Sequence, residues 1–396
     1  MSTTVLSEER FDHFSDWMNP ILVKETRQAL KSRSFVATFM LLLIASWLIC
    51  LFGIVMANQS LEYGSPSRNF LMAFFFVLSA AVTVIVPFGA FRSLANEQDG
   101  QTYELLSITS LTPRQIVLGK LFNSIVQILV YYSAIAPFIA FTSLLQGFDL
   151  FATVMSLLML KGVAILLCTF TLMLSTVARN KQIQAISSIF VIGGLITGLS
   201  IVNTLGAGFI QGEISPSWDL MMGSFCVTVI GISYLFLFLQ ITISQLLFDS
   251  GNKATGVRLI ASLQPILGWL MLIGVYLFTG RPLDDDLFYM AVIMSLIHLG
   301  VFSFFASMER DELSRRIRRD LPRNGFLRML LVPFMPGGTR GYLFFLMNLL
   351  SLGFFALLTS SMTSRIDDDF VICMSLIAVY MVIFLGIGSM ISRFMT

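Results

Sequence analysis

Ten apolar stretches constrain this chain more strongly than any other feature of its sequence. A helix of about 20 apolar residues is long enough to cross the hydrocarbon core of a bilayer. Hydrophobic residues make up 56% of the chain and charged residues only 12%. This is more apolar side-chain surface than the core of one soluble domain can bury. The sequence therefore predicts an all-α polytopic membrane protein with about ten transmembrane helices. These lie near residues 36–57, 69–91, 119–145, 150–177, 183–205, 221–248, 259–279, 287–306, 342–361 and 370–392.

The distribution of Lys and Arg predicts the side of the membrane on which each connecting segment lies. With the N-terminus inside, the inner segments hold 21 of the 25 basic residues, and the outer loops hold only Arg68, Arg281 and Arg365. Basic residues accumulate on the cytoplasmic side of membrane proteins. We therefore expect a multi-pass protein of the cytoplasmic (inner) membrane of a bacterium, with both termini cytoplasmic.

Patterns typical of an enzyme or of a metal site are missing from the sequence. The four cysteines fall inside apolar stretches and lack the spacing of metal ligands. Neither an HExxH nor a GxSxG motif occurs, and no pair of carboxylates lies in the middle of a predicted span. We expect a chain that is not an enzyme and that binds no metal or cofactor itself.

The cytoplasmic segment 1–35 contains a predicted amphipathic helix. Asn19 suits the cap of a helix and Pro20 its first position. On a helical wheel, an apolar arc and a basic side then face in opposite directions. The arc comprises Leu22, Val23, Thr26, Ala29 and Leu30, and the basic side comprises Lys24, Arg27 and Lys31. Such a helix fits the membrane surface, although an ordinary basic juxtamembrane segment is the alternative.

The loop at 92–120, between the second and third spans, carries the most definite sequence pattern. Its apolar side chains spread around the whole helical wheel. A short helix there would therefore have no polar face for solvent and would need to be buried. These side chains are Tyr103, Leu105, Leu106, Ile108 and Leu111. Thr112 and Pro113 then predict the start of a second helix that runs through Lys120 into the third span. The loop is buried either in another protein or against its own neighbours.

Polar side chains inside the predicted spans are candidates for a transport pathway. Lys161 lies near the middle of the fourth span, where a cation costs about 3 kcal/mol unless it finds water or a partner. It lines a polar pathway or binds an anionic substrate group; alternatively, it extends toward the outer surface or is satisfied by backbone carbonyls. Asn123, Gln127 and Gln240 either line the same pathway or form hydrogen bonds between helices.

The inner loop at 307–340 is strongly basic. It holds eight arginines, and Leu313, Ile317 and Leu321 recur at every fourth residue before Pro322. The apolar sequence FLRMLLVPF follows at 326–334. This pattern predicts a basic surface helix and an interfacial segment in contact with anionic lipid. Contact with another protein is the alternative.

Two of these segments together resemble a known family. The segment NPILVKETRQALKSRSF before the first span and NEQDGQTYELLSITSLTPRQIVLGK after the second are similar to those of the permease subunit of type-2 ATP-binding-cassette exporters. The matching positions of the second segment are Glu97, Gly100, Glu104, Leu105, Leu106, Leu111, Pro113, Ile116, Gly119 and Lys120. Ser110 departs from the pattern, because a Pro is common there. The sequence LSTVARNKQIQAISSIF at 174–190 is a further similarity, and the resemblance covers about 250 residues.

The resemblance implies a definite organisation. It implies an interfacial connecting helix in 1–35, a six-span permease core at 36–250 and a coupling loop at 92–120 that docks on a separate ATPase. The four spans of 251–396 are outside it. The implied docking residues are Glu104, Leu105, Leu106, Ile108, Leu111, Pro113 and Arg114. This chain has no Walker A motif, so ATP and Mg are expected on the partner.

Because one six-span core lacks the second wall of a pathway, a second permease protomer is also expected, in a homodimer or a heterodimer. No nucleic-acid partner is indicated, since the net charge is only +2. The function implied is export of a substrate that the sequence does not identify. The alternatives are a non-transporting membrane scaffold driven by an ATPase and an ion-driven secondary transporter, although the latter commonly has carboxylates in the middle of its spans.

Overall fold

The described part of the chain is helical. A computed structural model describes residues 20–57, 66–99, 112–176, 181–214, 217–248, 251–309, 324–363 and 366–395. The structure is 88% helix, and within these ranges it contains no strand. Ten of its helices are long and apolar enough to cross a membrane. The predicted all-α fold and the predicted number of helices able to span a membrane, ten, are therefore confirmed.

Contacts divide the chain into two compact units, 1–221 and 222–396. In its described residues, the first unit contains a helix before span one and then five spans. Their bounds are Pro20–Leu30 for the first helix, Arg33–Ala57 for span one, Pro66–Asp99 for span two, Pro113–Thr142 for span three, Leu150–Ser175 for span four and Lys181–Gln211 for span five.

Span six begins at the division and lies almost wholly in the second unit. The helices here are Trp218–Gln245 for span six, Thr255–Thr279 for span seven, Asp285–Ser307 for span eight, Gly338–Ser360 for span nine and Asp368–Met395 for span ten. A short helix, Gly325–Leu331, and a 3-10 turn, Val332–Phe334, precede span nine. The predicted division into a core at 36–250 and a region at 251–396 concerns function and stays a prediction.

Span two is the centre of the first unit. In the most apolar 18-residue stretch of span two, about 61% of the residues are buried, whereas the corresponding stretch of span one is 11% buried. Phe74, Phe75 and Leu78 of span two are completely enclosed. Span one exposes large apolar side chains such as Leu41 and Trp47, which is the pattern of a helix in lipid rather than in a soluble core. Span two therefore holds the unit together.

A π-helical segment interrupts span two at Ala81–Ile85. The amide of Val86 donates to the carbonyl of Ala81, and Pro87, which has no amide hydrogen, follows directly. The carbonyl of Pro87 accepts a hydrogen bond from the Thr171 hydroxyl of span four at 2.9 Å. A π-bulge of this kind changes the direction of a helix and so sets the direction of the part of span two that follows it, Val86–Asp99.

The second unit has its own apolar core. Trp269, Phe288, Val292, Leu296 and Leu352 pack together from spans seven, eight and nine. Spans eight and nine also approach closely at one end, because a methyl group on Gly341 would meet the backbone of Ala306. This close approach places the end of span eight beside the start of span nine.

Candidate coupling site at the base of the 92–120 loop

Lys120 lies where the end of span two, the start of span three and the helix before span one meet. Its side chain is 2% exposed, and its ammonium group contacts two carboxylates and one hydroxyl. Nζ lies 3.0 Å from Oε1 of Glu25, 2.9 Å from Oε1 of Glu97 and 2.7 Å from Oγ of Ser93. We call these four residues the Lys120 cluster. The cluster connects the helix before span one, the end of span two and the start of span three.

Local sequence positions Lys120 two turns into span three. Thr112 caps the helix: its hydroxyl accepts from the Gln115 amide at 3.3 Å, and the Gln115 side chain accepts from the Thr112 amide at 2.9 Å. Pro113 occupies the first turn. This capping box and the proline fix the first turn of the helix, as predicted from Thr112 and Pro113. Ile116 and Val117 are buried next, so the helix cannot rotate Lys120 out of the cluster without exposing them.

The two glutamates reach Lys120 from distant parts of the chain. Glu25 is 95 residues away, on the helix Pro20–Leu30, which packs against span three and buries its own Ile21. Glu97 is 23 residues away, near the end of span two. The segment 100–111 thus follows span two, which contacts Lys120 through Glu97, and precedes span three, which contains Lys120.

Electrostatic attraction between Lys120 and the two glutamates stabilises the Lys120 cluster. A buried cation is costly unless it is paired and hydrogen-bonded, and Lys120 has two carboxylates and a hydroxyl as partners. The side chains of Glu25 and Glu97 are only 15% and 21% exposed. Neutralising Lys120 would therefore leave two poorly hydrated negative charges close together. The arrangement resists separation of its three helices more strongly than a surface ion pair does.

Most of the predicted docking residues lie outside the described residues: Glu104, Leu105, Leu106, Ile108 and Leu111. Pro113 and Arg114 are described and lie in the first turn of span three. Arg114 is exposed, so it is free to contact another molecule beside the loop. The docking role of all seven stays a prediction.

The helix Pro20–Leu30 lies where the sequence predicts one. Its basic residues Lys24 and Arg27 are exposed, as is Lys31 just after its end, whereas Leu22 and Leu30 are half-buried. The apolar and basic sides are thus distributed as predicted. Its location at the membrane surface stays a prediction.

The predicted pathway residues lie in both units. In the first unit, Asn123 is buried, and Gln127 is half-buried one turn further along span three. In the second unit, Gln240 packs against the backbone of Gly256. Lys161 is half-buried about three helical turns from the first residue of span four, Leu150. It makes no hydrogen bond or ion pair with another residue in the described ranges, and its role stays a prediction.

The second unit contains a buried cation that sequence reasoning missed. Arg258, at the start of span seven, is 3% exposed. It donates to five groups: Ala306 O at 3.1 Å, Glu309 Oε2 at 2.8 Å, Pro333 O at 3.1 Å, Met335 O at 2.6 Å and Gly337 O at 3.2 Å. Burial raises the pKa of Glu309, and Arg258 opposes this shift. No local pattern identifies Arg258, because most of its partners are backbone carbonyls far along the chain.

Metal ligands do not cluster in the part of the chain that the structure describes. No group of three His, Cys, Asp or Glu side chains there could hold a metal ion.

Comparison with protein-family models, with curated proteins and with solved structures finds no match to this chain.

Proposed function

We propose that this multi-pass membrane protein is the permease subunit of an ATP-binding-cassette exporter, driven by a separate ATPase subunit that docks on the 92–120 loop. The observation that carries the proposal is the Lys120 cluster. It connects the two helices from which the loop projects to the helix that precedes span one. A force applied to the loop acts on spans one, two and three together.

The chemistry of the loop supports a protein partner. Leu105, Leu106 and Ile108 are apolar residues between two charged helix ends, and they belong to a segment without a wet side. An apolar contact in the middle and charged residues at its edge are typical of a stable protein interface. Glu104 and Arg114 are the edge residues in this proposal. ATP and Mg are bound by the partner.

The rest of the assembly follows from the same proposal. A second permease protomer supplies the other wall of the pathway, and the protein resides in the bacterial inner membrane with both termini cytoplasmic. Lys161 faces this pathway, where it meets water or an anionic group of the substrate rather than hydrocarbon. Asn123, Gln127 and Gln240 are the further polar residues assigned to it.

The test is co-purification of the ATPase with loop variants of the full chain. Leu106→Asp places a charge in an apolar contact, so it is expected to abolish ATPase recovery and substrate-stimulated ATP hydrolysis in lipid. Glu104→Ala and Arg114→Ala remove charges at the proposed edge of the contact and are expected to weaken docking by about 1 kcal/mol each. Leu106→Asp should still insert into the membrane, because the residue lies outside the spans.

The alternatives make different predictions in the same assay. A scaffold retains ATPase docking and its sensitivity to Leu106→Asp, but it moves no substrate in sealed vesicles. A secondary transporter moves substrate with an ion gradient and without ATP. Full ATPase recovery with Leu106→Asp would remove the main physical support for the exporter.

A further inference from the structure

The segment between spans eight and nine ends in a short arm that the proposed function does not use. We define the surface arm as residues 324–337, which include the helix Gly325–Leu331 and the 3-10 turn Val332–Phe334. Asn324 caps its first turn, where its side chain accepts from the Phe326 amide at 3.2 Å. A helix of seven residues is not stable by itself in water, so its environment has to stabilise it.

The helix of the surface arm exposes its apolar side chains. No residue of this helix is buried. Phe326 is 70% exposed and Met329 76% exposed, and Leu327 and Leu330 are exposed as well. Contiguous exposed apolar side chains of this kind mark a contact with another apolar phase or molecule.

Arg258 fixes the surface arm to the ends of the spans. Its guanidinium donates to Pro333 O and Met335 O within the arm, and also to Ala306 O at the end of span eight. It further bonds Gly337 O, immediately before span nine starts. Since two membrane-spanning helices end at this group, the arm is held at the level of the membrane boundary.

The charge of the sequence segment that contains the surface arm indicates the chemistry of its partner. Residues 307–340 contain eight arginines and four acidic residues, an excess of four positive charges. Arg328 lies within the exposed helix itself. Basic residues beside an apolar segment at the bilayer boundary are attracted to anionic headgroups, while the apolar residues enter the acyl region.

We propose that the surface arm is a binding site for anionic phospholipid of the adjacent leaflet. Phe326 and Met329 enter the acyl chains, and Arg328 pairs with lipid phosphate. Arg258 is a positioning residue that keeps the arm at this depth. The site is separate from the 92–120 loop and does not depend on an ATPase.

The experiment measures quenching of a tryptophan by lipids with brominated acyl chains. Full-length Met329→Trp and its parent are reconstituted in nanodiscs of phosphatidylcholine, with and without phosphatidylglycerol, and the difference between the two proteins isolates the new tryptophan. We expect strong quenching that increases with phosphatidylglycerol and loses this increase at high salt. Adding Arg328→Gln is expected to lower the phosphatidylglycerol-dependent partition about fivefold, the effect of one cation at an anionic surface.

A matched control removes the same charge elsewhere. Arg281 is an exposed arginine between spans seven and eight, and Arg281→Gln should leave the quenching unchanged. Both glutamine variants replace exposed side chains, so neither is expected to impair folding. Absence of quenching in both lipid mixtures would overturn the proposal. Quenching that ignores phosphatidylglycerol, or a signal that changes only when a protein partner is added, would overturn it as well.

Discussion

Replacing Lys120 by methionine tests whether the Lys120 cluster holds the first unit together. The substitution keeps the length and apolar stem of the side chain but removes four polar contacts, three of which are 3.0 Å or shorter. Removing one partner of a buried ion pair costs about 3 to 5 kcal/mol. Because Glu25 and Glu97 retain 15% and 21% of their side-chain exposure, we expect the lower end, about 3 kcal/mol.

The assay is thermal unfolding of the full-length protein in nanodiscs. Lys120→Met should lower the unfolding temperature by several degrees. Lys24→Met is the matched control, because Lys24 is exposed and precedes Glu25 on the same helix; its unfolding temperature should match that of the parent.

A triple variant separates stability from coupling. Lys120→Met combined with Glu25→Gln and Glu97→Gln leaves no uncompensated charge, so it should recover most of the lost stability. If the cluster also transmits force from the loop, stimulation of ATP hydrolysis by substrate should stay low in this stable protein. An unfolding temperature of Lys120→Met equal to that of the parent would refute the energetic argument for the cluster.

Two further predictions concern the second unit. Gly341→Ala should lower the unfolding temperature strongly, because the new methyl group would collide with the Ala306 backbone. Gly353→Ala is the control: its methyl group would meet nothing within 4 Å, so the unfolding temperature should stay equal or rise slightly. Burial raises the pKa of Glu309 above its ordinary value of 4.5, so the folded protein binds this proton more tightly than the unfolded chain. Its contribution to the unfolding free energy is therefore present at acid pH and lost as pH rises through the raised folded pKa; Glu309→Gln should remove this dependence in thermal unfolding measured against pH.

The sequence predicts the number of spans and most helix starts, because these depend on local patterns. Each predicted stretch overlaps one of the ten long helices, and Thr112 with Pro113 marks the start of span three as predicted. Such signals act within a few residues of where they occur, so they can be recognised without tertiary structure.

The composition of the two buried cationic sites could not be predicted in this way. Glu97 and Lys120 are visible as parts of a motif, but Glu25 joins them from 95 residues away. Arg258 binds mainly backbone carbonyls, which every residue possesses and which therefore leave no mark in the sequence. Long-range packing, rather than local preference, determines both sites.

The most direct test of the coupling role is a cross-link from the 92–120 loop. A photoreactive amino acid replaces Leu106 in the full-length protein, and membranes that contain its partners are irradiated. We expect a cross-link to a separate ATP-hydrolysing subunit, which disappears when Leu105 is also replaced by Asp. Cross-links formed only within this chain would show that the loop packs on its own neighbours and would contradict the proposed coupling role.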